Sequence, residues 1–292
     1  MMVMKKNSMV DNATLSTERS QGLSRKLEAC LMTLAPTLMA NVPENANFSQ
    51  NPDSVEEHHV DWHQYGIITH TKKVREAYTS ELMPLLQSWG LGEKVAAHLS
   101  QRAPSGWSRG ELLEVSIPVH DLGKFSRTHY WKDGKAYPDY VGHEALSEKI
   151  VLTQNTVKEI LASGGLTPAD IAHVAALAGL HFELGKVRDV ARSREGYNLA
   201  FSKSVSAREI FDELQARHPE YAPEIGLWYI VDSMGKISLR CDADTDEALA
   251  ASRPQREAEI ASSGLRPTLV NALMQFPVNL HVAREYLQAV LK

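Results

Sequence analysis

The chain has 292 residues, enough for one large domain or for a domain of roughly 200 residues with appended segments. It carries 31 Lys and Arg against 36 Asp and Glu, a net charge of -5, so the basic excess typical of a protein that binds a long nucleic-acid duplex is missing. The two cysteines lie outside any CxxC arrangement, which excludes a disulfide framework and a structural zinc knuckle.

The N-terminus turns polar after its first residues and has no apolar core of the kind found in signal peptides. No run of about 18 apolar residues occurs anywhere in the chain. We therefore expect a cytoplasmic protein that makes no membrane contact.

Residues 1–50 are predicted to form a partly flexible N-terminal segment. About the first 20 residues are polar and lack an apolar period, which is typical of a mobile tail. Apolar residues recur at helical spacing from Leu23 to Met39 and predict a short helix, and NVPENANFSQNPDS predicts the loop that follows. One main domain is expected over residues 51–292.

Helical apolar spacing dominates this main domain, and runs of strict two-residue alternation are scarce. Gly and Pro divide it into helical segments at 63–88, 92–103, 109–122, 142–163, 168–182, 204–217, 221–240, 243–262 and 266–291. No internal repeat is apparent. The sequence therefore predicts an all-α fold.

An adjacent pair, His120 and Asp121, lies in the segment IPVHDLGKF. Neighbouring side chains on a helix point about 100° apart, so both reach metal only at a helix end or by serving two ions. Gly123 and Lys124, which follow, are typical of a helix terminus. The pair indicates a metal site, although a lone His-Asp pair also arises by chance.

Four more ligand-type residues stand in apolar helical segments. They are His70 in YGIITHTKKV, His143 in YVGHEALSEKI, His181 in AALAGLHFELG and Asp232 in LWYIVDSMGKI. A single histidine on an apolar helix is more often a core or surface residue than a ligand. Asp232 is more informative, because an acid in a buried helix is costly unless it is paired or binds a metal.

With these residues in this order, and with the motifs HDLGK, GHEALS and VDSMGK, residues 60–240 resemble the HD superfamily of metal-dependent phosphohydrolases. The resemblance implies a helical bundle with a metal site in its core, which makes residues 51–292 a catalytic domain with C-terminal helices. It implies a first metal held by His70, His120, Asp121 and Asp232. It also implies a second metal at His143 and His181, bridged by Asp121. The interval from His70 to His120 is longer than in compact members, and residues 88–110 are expected to add a helix and a loop.

Imidazole and carboxylate ligands suit Fe, Mn, Co, Ni or Zn better than they suit an ion that prefers oxygen ligands alone, and the absence of thiolates argues against a structural zinc. One or two divalent ions are expected, with Mg also among the candidates. Two such ions can generate a nucleophile near neutral pH and clamp phosphoryl oxygens. Asp121, Lys124 and Glu144 are the predicted catalytic residues. Glu144 is expected to orient a ligand or shuttle a proton, or else to be a surface charge.

Cations are expected to neutralise a bound phosphate. Lys124 is predicted to do so because it directly follows the His-Asp pair. The other predicted substrate-binding residues are Arg127, Lys186 and Arg188, the last two in GKVRDVARSR, which also contains Arg192 and Arg194. That run is equally well interpreted as a solvated loop.

The remaining histidines are expected to lie outside the metal cage. His63 stands seven residues before His70 and could share its face and reach the mouth of the site. Surface or supporting positions are nevertheless expected for it and for its neighbours in the polar segment, His58 and His59. His129 is predicted to line the pocket. Structural or exposed positions are predicted for His98, His173, His218 and His281.

The function expected from these residues is hydrolysis of a phosphomonoester or phosphodiester, with a nucleotide as substrate. An alternative within the same resemblance is a mixed-valent di-iron oxygenase that acts on a small polyol or phosphonate, because both chemistries need the same ligands. A regulatory module without activity is disfavoured, since all six ligand positions carry residues that can bind a metal.

Overall fold

The computed structural model describes residues 17–42, 51–56, 58–132, 134–185, 187, 192–193, 196–197 and 199–292. Most of the predicted N-terminal tail lies outside these residues, and so do Lys186, Arg188 and Arg194.

Helices build most of the described chain, as the apolar spacing predicts. In the N-terminal half they are α1 (Glu18–Ala40), α2 (Ile67–Ser80), α3 (Leu82–Ser88), α4 (Gly92–Leu99), α5 (Arg109–Ser116) and α6 (Leu122–Phe125). They continue with α7 (His143–Thr153), α8 (Asn155–Ser163), α9 (Pro168–Leu180), α10 (Val205–Arg217), α11 (Ala222–Gly235), α12 (Asp246–Ser262) and α13 (Val270–Val290). Short 3-10 turns span Ile117–Val119, Leu199–Lys203 and Pro267–Leu269. The predicted all-α class is confirmed, and α4 is the helix expected within residues 88–110.

Two short antiparallel ribbons, which the sequence did not predict, lie in connections between helices. Strand β1 (His129–Lys132) pairs with β2 (Lys135–Pro138), and β3 (Arg192–Ser193) pairs with β4 (Gly196–Tyr197). Strands of two to four residues are too short to give a detectable alternation of apolar and polar side chains.

Reciprocal side-chain caps begin three of the helices and fix where they start. The capping pairs are Thr17 and Ser20 at α1, Ser108 and Glu111 at α5, and Thr167 and Asp170 at α9. Each pair satisfies amide groups that the first helical turn leaves without a partner. Helices α5 and α9 thereby direct the chain toward His120 and His181, which lie just beyond their C-terminal ends.

Helix α11 is the central element, because every one of its residues is buried. It packs against α2 and α13. Large side chains such as Tyr78, Phe211, Trp228 and Tyr286 belong to the apolar cluster around it. An acid on this helix, Asp232, is therefore held deep inside the protein.

Helix α1 covers another face of the molecule. Leu27 and Leu31 share an apolar cluster with Phe125, Val151 and Val174, which come from α6, α7 and α9. The helix predicted within the N-terminal segment thus packs directly against residues assigned to the main domain. None of the helices in the described ranges combines the length and the apolar character needed to cross a membrane.

Candidate metal centre

The six residues predicted as metal ligands come together in the interior between the helices. They arrive from separate elements: His70 from α2, His120 and Asp121 from the turn before α6, His143 from the first position of α7, His181 from the C-terminal cap of α9, and Asp232 from α11. None of the six is more than 8 % exposed. Residues far apart in sequence therefore form one buried polar group.

Asp121 lies in the middle of this group, with its two carboxylate oxygens facing different imidazoles. Oδ1 is 3.3 Å from Nε2 of His143 and 3.6 Å from Nε2 of His181. Oδ2 is 3.3 Å from Nε2 of His120 and 3.8 Å from Nε2 of His70. A carboxylate placed in this way can serve two ions, one through each oxygen.

Asp232 completes the group on the side of His70. Its Oδ1 is 3.1 Å from Nε2 of His70, and its Oδ2 pairs with Nζ of Lys236 at 2.7 Å. The ligand atoms of His70, His120 and Asp232 all lie within 4.8 Å of one another, and the same holds for His120, Asp121 and His181. These two triplets share His120 and form adjoining positions that could each hold a metal ion.

Backbone carbonyls orient three of the histidines through the same local contact. Nδ1 of His120, His143 and His181 lies 2.7, 2.8 and 2.7 Å from the carbonyl oxygen three residues earlier. A carbonyl oxygen can only accept, so each Nδ1 carries the proton and each Nε2 keeps a lone pair. This arrangement fixes the tautomer and aims Nε2 at the centre, as metal-binding histidines require.

The electrostatics keep the two acids charged and disfavour protonation of His70 and His181. Burial alone raises the pKa of Asp121, but the neighbouring His120 and Lys124 bring this pKa well below its usual range. The pKa of Asp232 is also well below its usual range, because Lys236 and His70 outweigh burial. Burial lowers the pKa of His70 and His181. Carboxylates and neutral imidazoles are the protonation states that bind metal.

The donor set fits a divalent ion. Nε2 of His120 and Oδ1 of Asp121 are buried and have no hydrogen-bond partner among the described residues, an expensive arrangement unless something else binds there. Nitrogen and oxygen donors suit Fe, Mn, Co, Ni or Zn. Cys30 and Cys241 are free thiols that belong to none of these ligand groups.

Lys124 contacts the centre directly. Its ammonium donates to Oδ2 of Asp121 at 2.8 Å and lies 3.1 Å from Nε2 of His58. The residue also lines the adjoining pocket, as a substrate-binding residue would. Lys124 therefore faces both the carboxylate of Asp121 and the adjoining pocket.

Arg127 and Glu144, two further predicted residues, support the centre rather than form it. Arg127 is 2 % exposed and donates to the carbonyl oxygen of Lys124, without lining the pocket. That position favours a structural role over the predicted contact with substrate. Glu144 lines the pocket, and its Oε2 lies 3.3 Å from Nδ1 of His143.

A pocket of about 780 Å³ opens onto the centre. His143, His181 and Asp232 contribute to its wall together with the ammonium-bearing side chains of Lys124 and Lys236. Aromatic residues form a large part of the rest, namely Trp62, Tyr140, Phe182 and Phe276. The pocket thus combines a cationic, ligand-rich side with flat apolar surfaces.

Two histidines that the sequence did not assign to the cage also lie at this centre. His58 is fully buried and His63 is 7 % exposed, so the surface position considered for both is wrong. Their rings stack with centroids 3.8 Å apart, and the ring of His63 is 5.0 Å from that of His70. Lys236 is another residue at this site that the sequence did not single out.

Long-range hydrogen bonds bring this histidine segment to the centre. The carboxylate of Asp53 accepts from the backbone N–H and the hydroxyl of Thr69, and so caps the start of α2 from 16 residues away. The backbone N–H of Gln64 donates to the carbonyl of Lys236 at 2.8 Å, and Arg266 donates to the carbonyl of His63. The seven-residue interval from His63 to His70 was the one indication in the sequence that His63 lies near the centre. It could not show that the segment with His58 and His63 packs against His70.

The other histidines lie apart from the three potential ligand groups found in the described residues. His98 pairs with Glu224 at 3.0 Å, and His173 is buried against Tyr221. His281 lies 3.1 Å from the carbonyl oxygen of Ala243. His59 is exposed and lines the pocket.

No protein-family model matches the chain, and no curated protein is similar enough to count as a relative. The chemistry of the centre therefore has to be inferred from its own residues.

Proposed function

We propose that the protein is a metal-dependent phosphohydrolase of the HD type, which hydrolyses a phosphomonoester or phosphodiester of a nucleotide. The observation that carries the proposal is the placement of Asp121 between two groups of imidazoles. One of these groups, His143 and His181, lines a pocket that also presents two lysines. Bound divalent ions at such a site lower the pKa of water and neutralise phosphoryl charge.

Different residues would bind each of the two ions. His70, His120 and Asp232 would hold one ion, His143 and His181 would hold the other, and Asp121 would reach both. Hydrogen bonds from Nδ1 to backbone carbonyls keep the imidazoles aimed inward before a substrate arrives. This preorganisation avoids rearrangement during the reaction.

Lys124 and Lys236 are the groups placed to bind the phosphate. Both line the pocket, and each ammonium pairs with a carboxylate of the centre, so a phosphate bound beside the acids would lie within their reach. Trp62, Tyr140 and Phe276 offer flat surfaces on which a nucleobase can stack. The pocket volume falls in the range of small-molecule sites.

A second candidate function is oxidation of a small polyol or phosphonate by a di-iron centre. It rests on the same donor set, since imidazole and carboxylate ligands also suit iron. The same lysines would bind a phosphonate. Dependence on oxygen separates the two candidates, because hydrolysis needs none.

The experiment combines elemental analysis with turnover on a panel of nucleotides under anaerobic conditions with Mn²⁺. We expect phosphate release or diester cleavage by the wild type. Asp121→Ala should lose nearly all activity and nearly all bound metal, with metal affinity lowered at least about 100-fold. His181→Ala should retain part of the metal. His173→Gln is the matched control, since it changes a buried histidine outside the centre and should behave as the wild type.

Full metal content and turnover in Asp121→Ala would refute the cage. An enzyme that is inert anaerobically on the whole panel, yet consumes oxygen with a polyol or phosphonate when loaded with iron, would replace the hydrolase by the oxygenase.

A further inference from the structure

A third group of ring nitrogens adjoins the proposed cage. His58, His63 and His70 each bring one nitrogen to within 4.8 Å of the others, and all three residues are buried. His70 belongs to the cage, whereas His58 and His63 have no part in it. Their segment is held in place by the contacts of Asp53, Gln64 and Arg266 described above.

His58 and His63 each have a ring nitrogen that could bind an ion. Nδ1 of His58 lies 2.8 Å from the carbonyl of Tyr65 and so carries the proton, which leaves a lone pair on Nε2. Neither ring nitrogen of His63 has a hydrogen-bond partner in the part of the chain described. Buried polar atoms without partners are costly and call for a ligand.

A cation already occupies one edge of this group. The ammonium of Lys124 lies between Nε2 of His58, at 3.1 Å, and Oδ2 of Asp121, at 2.8 Å. The space beside His58 is therefore of a kind that accepts positive charge. His63 lines the open pocket, which gives an ion a way in.

We propose that His58 and His63 are ligands of a further metal position, which shares His70 with the cage, and that the ammonium of Lys124 competes with the ion for it. Imidazole donors select a late first-row ion such as Co²⁺, Ni²⁺ or Zn²⁺ over Mg²⁺. The inference rests on the proposed function only through the shared His70.

Titration of the chelated protein with Co²⁺, followed by absorbance and by elemental analysis after dialysis, tests the position without reference to activity. His63→Gln should lose one equivalent of Co²⁺ relative to the wild type and retain those of the cage. This substitution breaks no hydrogen bond of the described residues. His173→Gln is the matched control, because His173 is also buried with an unpartnered Nε2 and should leave the stoichiometry unchanged.

Lys124→Met gives an independent test in the opposite direction. Removing the competing ammonium should tighten binding of the last equivalent on the order of tenfold, since a like charge a few ångströms away is lost. If the ammonium contributes only to phosphate binding, the affinity for this equivalent stays unchanged, which contradicts the proposed competition.

The outcomes separate this inference from the proposed function. An unchanged number and affinity of Co²⁺ equivalents in His63→Gln overturns the further position and leaves the cage intact. Loss of every equivalent in His63→Gln, with an unchanged circular dichroism spectrum, also overturns it, because the position would not be separate. Full metal binding by Asp121→Ala would instead refute the cage.

Discussion

Acidification should destabilise the metal-free fold through its buried histidines. Among the buried histidines at the centre, burial holds the pKa of four below the value of about 6.5 expected in an unfolded chain, and these are His58, His63, His70 and His181. Below that value the unfolded state binds more protons than the folded state. The free energy of unfolding therefore falls as the pH drops from about 7 toward the folded-state pKa values.

The size of the effect follows from proton linkage. For a histidine that stays neutral in the fold, going from about pH 7 to about pH 5.5 costs about 1.3 kcal/mol. Four such residues give about 5 kcal/mol as an upper value, a large part of the roughly 5–15 kcal/mol that stabilises a domain. Asp121 and Asp232 contribute nothing in this window, because their lowered pKa values place their loss of stability at more acidic pH.

Urea unfolding followed by circular dichroism, with a chelator present at both pH values, measures this difference. His63→Gln removes one buried imidazole and should reduce the pH dependence by about 1.3 kcal/mol. Equal unfolding free energies at the two pH values would refute the reasoning, since the buried rings would then be protonated in the fold.

Three further predictions concern packing and metal. A Cβ on Gly123 would lie 2.0 Å from the carbonyl oxygen of His143. Gly123→Ala should therefore displace the start of α7, lower the free energy of unfolding by about 1–3 kcal/mol and weaken metal binding at His143. Unchanged metal content by elemental analysis would contradict this. Glu224 is fully buried and pairs with Arg109, so Glu224→Gln should lower the free energy of urea unfolding by about 3 kcal/mol, and an unchanged midpoint would oppose it. Chelation of the wild type should lower Tm by about 5 °C or more, whereas coincident melting curves before and after chelation would speak against a structural role for bound metal.

Much of the helical framework could be predicted because it is periodic. Segments predicted at 168–182, 204–217 and 266–291 correspond to α9, α10 and α13 within a few residues. The region around His120 was less predictable. Gly123 was expected at a helix terminus but lies inside α6, where its lack of a side chain permits close contact with α7.

The candidate ligands could be singled out as polar residues in helical segments, and Asp232 most clearly. Asp232 stands among Trp228, Tyr229, Ile230 and Val231, where an acid is costly without a partner. The sequence could indicate such residues one by one. It could not supply the distances between them, which depend on how α2, α9 and α11 pack.

The sequence alone determined the helices and the types of residue available for a metal, because apolar period and local capping act within a few residues along the chain. Tertiary structure alone decided that His58 and His63 join the centre and that Lys124 lies between His58 and Asp121. The segment that carries the two histidines has no apolar period of its own. It reaches the centre because Asp53 caps α2 and because the backbone of Lys236 and the side chain of Arg266 bind it from distant parts of the chain.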